Sequence, residues 1–127
     1  MALLFNTING YINGYYLFRK SPHTFASFSW FSNPLFIIGI IIFLTGLTIH
    51  IQSDAALRML RKTNGDSYQV PHGILFKYVS SPNYTGEIFQ WFGWALLTWS
   101  LAGLAFSAFT LANLAPRAYM NHKWYRR

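Results

Sequence analysis

PLFIIGIIIFLTGLTIHI, residues 34–51, is the stretch that decides which solvent this chain folds in. No charged side chain interrupts it. About 18 to 20 helical residues, rising 1.5 Å each, cross a hydrocarbon core of roughly 30 Å. The run therefore predicts a transmembrane helix, and Asn33 followed by Pro34 supplies its cap and first helical residue.

The rest of the composition agrees. Of 127 residues, 53% are hydrophobic, 20% aromatic and only 10% charged, against roughly 25% charged in a soluble domain. The net charge of +7 does not indicate nucleic acid, because the cations punctuate apolar runs and no nucleic-acid-binding motif accompanies them. With no cysteine, disulfides, thiolate metal sites and a cysteine nucleophile are excluded. His23, His72 and His122 share no metal-ligand spacing, so no metal is expected. The opening MALLFNTINGYINGYYLFRK lacks a basic segment ahead of its apolar part and does not read as a cleavable signal.

Two further apolar regions flank the central run. Residues 1–18 are diluted by Asn6, Asn9, Asn13 and two glycines, which suits a helix facing protein neighbours. Residues 88–114 are apolar throughout, long enough for one tilted helix or two short ones. Basic residues choose between these. Arg58, Arg61, Lys62 and Lys77 follow the central run, while Arg117, Lys123, Arg126 and Arg127 close the chain. Placing both clusters on the cytosolic side requires two crossings between them, hence a hairpin turning near Thr98 to Gly103. Arg19 and Lys20 fall on the opposite side. The expected fold is an all-α integral membrane protein of about four helices, near 1–18, 34–51, 86–98 and 102–122, with a cytosolic loop over 52–85.

Immediately after the central run comes SDAALRMLRKTNGDSY, residues 53–68. Asp54, Arg58 and Arg61 stand at i, i+4 and i+7, on one face if the helix continues. One reading is a solvated helix end whose arginines meet lipid phosphates. The other takes in the sequel, which gathers Asn64, Asp66, Tyr68, His72, Tyr78, Asn83, Tyr84 and Glu87 around Gly65, Gly73 and Gly86. Arginine forks bind phosphate, and Asp, Asn and Tyr hold ribose hydroxyls and an amide ring. That set suits a phosphorylated, ribose-bearing cofactor, although no GxGxxG or Walker pattern specifies which.

SDAALRMLRK, SYQVPHGILFKYVSSPNYTGEIFQWFGWALLTWSLAGLAFSAFTLANLAPRAY and HKWY, with TINGYINGYYL near the start, together resemble the C-terminal half of the steroid 5α-reductases, proteins of seven helices. The D-x-x-x-R-x-x-R, P-x-G-x-L-F-x-Y-V-S-x-x-N-Y-x-G-E and R-A-Y-x-x-H-x-W-Y blocks stand in the family's order and spacing. The resemblance implies a multi-pass enzyme of the endoplasmic reticulum membrane, C-terminus cytosolic, that reduces the 4,5 double bond of 3-oxo-4-ene steroids with NADPH. By position it assigns Asp54, Arg58, Arg61, Tyr68, Asn83, Glu87, Arg117 and Tyr125 to NADPH and Trp91 to the nicotinamide and substrate end. The chain departs from the family at His50 (Asn there), Gln69 (Arg), Ile74 (Gly) and Asn121 (His).

Other readings of these residues stay open. Glu87 also suits a helix N-terminus, His50 also reads as a neighbour-bonded histidine inside the span, and Trp91, Trp94 and Trp99 also read as packing or interfacial residues. In the family, the Tyr and Glu that polarise the substrate carbonyl belong to the N-terminal half, which has no counterpart here. No catalytic residue is therefore expected in this chain, and it reads as a partial member, inactive alone. Membrane lipid, a steroid, a complementing N-terminal half or a second copy are its expected partners. A related enoyl-CoA or polyprenol reductase and a non-catalytic membrane interaction protein are the alternatives.

Overall fold

A computed structural model describes residues 2–20, 28–64 and 73–126. Among them the chain is helical: α1 (Ala2–Tyr15), continued by a π-helical turn (Tyr16–Lys20), α2 (Phe28–Phe31), α3 (Pro34–Asn64), α4 (Ile74–Tyr78), α5 (Pro82–Thr98) and α6 (Leu101–Tyr125). One of these, over Pro34–Lys62, is long and apolar enough to cross a membrane, with a mean hydropathy of 2.3. The all-helical expectation matches this architecture.

α3 starts where its sequence marks a start. Asn33 Oδ1 accepts from the Leu35 amide at 2.9 Å, and Pro34 lacks the amide hydrogen that a first turn leaves unpaired. The helix does not stop at residue 51. It runs 31 residues, about 46 Å, to Asn64, so the first part of the segment expected as a loop is helical. Residues 55–62 are the good helix formers Ala-Ala-Leu-Arg-Met-Leu-Arg-Lys, and no glycine or proline interrupts them before Gly65. A change of solvent does not end a helix.

α3 and α5 pack antiparallel along a seam of small residues spaced by seven: Gly39, Gly46 and Ser53 on one side, Gly86, Gly93 and, just past the helix end, Ser100 on the other, all buried. A Cβ on Gly46 would meet the Gln90 amide and stand 2.6 Å from the Gly86 carbonyl oxygen; one on Gly93 would meet the Phe43 backbone. The two backbones thus touch, as small-residue faces permit, and the seven-residue period keeps that face turned toward its partner. The large side chains point the other way: Ile37, Ile38, Ile41, Leu44 and Ile51 are exposed. Among the described residues the buried apolar side chains are Ala95 and Leu114. Small residues inside and large apolar ones outside is the arrangement a bilayer favours, since lipid tails solvate isoleucine and leucine as well as a protein core does.

The chain reverses between α5 and α6 over Trp99 and Ser100. Trp99 takes the left-handed conformation at φ 42°, ψ 45°. Ser100 then caps α6, its Oγ accepting from the Gly103 amide at 2.9 Å and lying 2.9 Å from Thr98 Oγ1. From the side, Trp30 Nε1 donates to the Leu97 carbonyl at 3.2 Å, one of the acceptors a helix C-terminus leaves free. α5 and α6 are thereby antiparallel neighbours. Pro82, at the first position of α5, moves that helix's start four residues ahead of residue 86.

Candidate functional site

Three contacts bring distant segments to one end of the bundle. His50, on α3, has Nδ1 3.2 Å from the Asn83 carbonyl oxygen, and because a carbonyl only accepts, the nitrogen carries the proton. Asn121 Nδ2 donates to Ser81 Oγ at 3.0 Å, and Ser80 Oγ lies 2.6 Å from His122 Nδ1. The second half of α3, from His50 on, the start of α5 and the end of α6 therefore lie toward one end of the bundle, its mouth.

Most of the residues expected to hold a cofactor stand on those three elements. Asp54 and Arg58 pair at 3.3 Å, with 39% and 73% of their side chains exposed. So exposed a pair adds at most about 0.5 kcal/mol to stability, and the Arg58 guanidinium stays open to solvent. Arg61 is exposed one turn further along α3. Asn83 and Glu87 are half-buried, one turn apart on α5. Arg117 and Tyr125 stand one turn before and one turn after Asn121 on α6, Arg117 exposed and Tyr125 half-buried. Tyr68 lies outside the described residues, as do Gln69 and His72; of Ile74 only the backbone is described. His50 is neighbour-bonded, as its plainer reading has it.

Asn83, Glu87 and Trp91 recur every four residues on α5. They form a stripe that climbs about 12 Å from the mouth and ends at a cleft of about 500 Å³. The Trp91 ring meets Phe106 edge-on, centroids 4.5 Å apart, and these two with Trp94 make the aromatic wall. The opposite wall is one face of α1: Asn6, Asn9 and Asn13 with Gly10 and Gly14. Asn13 Nδ2 donates to the Asn9 carbonyl and to Asn9 Oδ1, both at 3.0 Å, while its own buried Oδ1 has no partner. Sequence reasoning assigned Trp91 to this place, weighed Trp94 only beside a packing or interfacial role, read Asn6, Asn9 and Asn13 as facing protein neighbours without placing them at a site, and missed Phe106. The spacing of Asn6, Asn9 and Asn13 at i, i+3 and i+7 was the available signal for that face.

Chemically, the mouth offers guanidinium forks for phosphate, the stripe offers an amide and a carboxylate for hydroxyls, and the cleft offers an aromatic wall facing an amide-bearing one, with a volume inside the roughly 300–1,000 Å³ of small-molecule sites.

The sequence profile of the family described as 3-oxo-5-alpha-steroid 4-dehydrogenase matches residues 1–127. The chain is 48% identical over 124 residues to steroid 5-alpha-reductase DET2 of Solanum lycopersicum, covering 98% of this chain and 47% of that protein. It is 45% identical over 125 residues to 3-oxo-5-alpha-steroid 4-dehydrogenase 1 of Mus musculus, covering 98% and 48%, and 44% identical over its whole length to the Homo sapiens protein of the same name, 48% of which is covered. It spans about half the length of the curated relatives it matches, corresponding to their C-terminal part. On this match, carried across every described helix, the chain belongs to the 3-oxo-5-alpha-steroid 4-dehydrogenase family.

Proposed function

We propose that this chain is the dinucleotide-binding part of an NADPH-dependent reductase that saturates the 4,5 double bond of 3-oxo-4-ene steroids. It is held in the endoplasmic reticulum membrane by four crossings, α1, α3, α5 and α6, with residues 52–85 and the C-terminus in the cytosol. The observation that carries this reading is the α5 stripe, Asn83, Glu87 and Trp91, joining a cationic mouth to an aromatic cleft within one helix.

NADPH supplies a hydride for the β-carbon of the enone. This chain's residues do the rest of the work on the cofactor side. Arg58, Arg61 and Arg117 take the phosphates as charge-assisted, bidentate contacts. Asp54, Asn83 and Glu87 hold ribose hydroxyls or the carboxamide, and the resemblance to the family assigns Tyr68 and Tyr125 to the dinucleotide as well. Trp91 and Phe106 flank the place where ring and steroid meet, keeping water out so that electrostatic interactions there are strong. Hydride arrival at the β-carbon leaves negative charge on the 3-oxo group, and donors to that oxygen lower the barrier. In the family those donors belong to the N-terminal half, so this chain binds dinucleotide but needs a complementing half for turnover.

Product formation from testosterone or progesterone with NADPH tests this, in membranes holding the chain alone and in membranes where it is co-expressed with the N-terminal half of a full-length relative. Turnover only on co-expression, lost in Arg61→Ala and Glu87→Gln, supports the reading. Loss of one oxyanion donor costs about a hundredfold to a thousandfold, so turnover by the chain alone near the reconstituted rate would refute the assignment of those donors elsewhere. Absence of dinucleotide binding in both preparations would favour a non-catalytic membrane role.

A further inference from the structure

We propose that Ser80, Ser81, Asn121 and His122 form a clasp that aims the last turns of α6, and with them Arg117 and Tyr125, at the start of α5. They are positioning residues, and the inference rests on the dinucleotide reading above.

The need for a clasp arises from α6 itself. It has 25 residues against 17 in its antiparallel neighbour α5, so its end overshoots the start of α5. Leu114 is its last buried residue; from Ala115 to Arg126 each residue is exposed or half-buried. Pro116 stands two residues after Leu114, inside the helix. A proline there has no amide hydrogen for the carbonyl four residues back, and its ring crowds that carbonyl, so helices bend at such points. Packing therefore holds α6 up to Leu114, a weak point follows, and the segment carrying Arg117 and Tyr125 lies beyond it.

Two side-chain bonds restrain that segment. Ser81, only 2% exposed, receives the Asn121 amide at 3.0 Å, and Ser80 meets His122 at 2.6 Å. The partners are adjacent residues on both sides, so the pair of bonds fixes a direction and not merely a distance. Arg117 and Tyr125 flank Asn121 by one turn each, on the face that Asn121 presents to Ser81. Two residues after Ser81 begins the stripe of Asn83 and Glu87. Holding an arginine fork within reach of a ligand held by another helix is worth little unless its direction is set, because small misplacements forfeit bidentate contacts.

The chain has no cysteine, so paired spin labels can be introduced at Lys77→Cys and Lys123→Cys in the full chain, in detergent or lipid. The label distance and the NADPH affinity are then measured with the clasp intact, in Ser80→Ala/Asn121→Ala, and in Ser80→Thr, which keeps a hydroxyl. The expected result is a single narrow distance with the clasp intact and a broadened one without it. NADPH affinity falls about tenfold on loss of the two bonds, NADPH narrows the broadened distribution again, and Ser80→Thr restores both readings. A distance indifferent to the double substitution overturns the clasp. Broadening with undiminished NADPH affinity overturns the positioning role and leaves the dinucleotide reading standing. No NADPH binding by the chain with its clasp intact overturns the dinucleotide reading, and the positioning role with it.

Discussion

His50 donates from Nδ1 to the carbonyl oxygen of Asn83, 3.2 Å away across the α3–α5 seam. The bond reports the register that the glycine seam imposes: the helices are antiparallel, so Asp54, one turn past His50, lies farther out at the mouth, while Glu87, one turn past Asn83, lies deeper in the bundle. The family's asparagine at this place also has an amide donor, so the histidine keeps a donor while adding a ring. His50→Ala removes the donor and leaves a carbonyl without its side-chain partner, at an expected cost of about 0.5–1.5 kcal/mol. Thermal unfolding in detergent reads this, and His50→Asn should recover part of it.

The seam should tolerate no added methyl group. Gly46→Ala and Gly93→Ala each drive a Cβ into the backbone of the facing helix, which neither helix can relieve by a rotamer change. Each is expected to cost about 3 kcal/mol, the upper end of ordinary overpacking. Gly10 has nothing within 4 Å of its Cβ position, so Gly10→Ala should be neutral or gain up to about 1 kcal/mol from helix propensity. Unfolding midpoints of the three variants, compared in one detergent, check the contrast.

Cofactor choice should follow the arginines. If Arg58, Arg61 or Arg117 meets the 2′-phosphate, NADPH binds more tightly than NADH by roughly 1.5–3 kcal/mol, or about 10-fold to 150-fold. Titration of each dinucleotide against tryptophan fluorescence measures the ratio, and Arg61→Ala should reduce it. Equal affinities would return these side chains to lipid headgroups.

The mouth contacts also constrain topology. Ser80 and His122 are hydrogen-bonded, so the segment after α3 and the end of α6 must lie on one side of any membrane the chain crosses. Proteolysis of sealed microsomes should cut both or spare both. Cleavage on opposite sides would break the hairpin and the mouth together.

How much of this was legible beforehand differs from element to element. The charge-free run of residues 34–51 and its Asn33–Pro34 start announced α3, because the cost of burying charge in hydrocarbon makes such a run informative without a partner. The alternation of basic clusters called for a reversal near Thr98 to Gly103, and the chain turns at Trp99 and Ser100. The end of α3 was not legible from hydropathy, since helix propensity carried the chain on to Asn64 after apolarity had ended.

By itself the sequence determined the solvent, the helical class and the family, all of which depend on residue type and local order. Only tertiary structure decided which residues meet. His50 and Asn83 are 33 positions apart, Ser81 and Asn121 40, and Ser80 and His122 42. No local rule couples such positions. They come together because a seam of glycine and serine lets two backbones touch and a two-residue turn folds α6 back along α5, so that contacts at the mouth follow from packing elsewhere in the bundle.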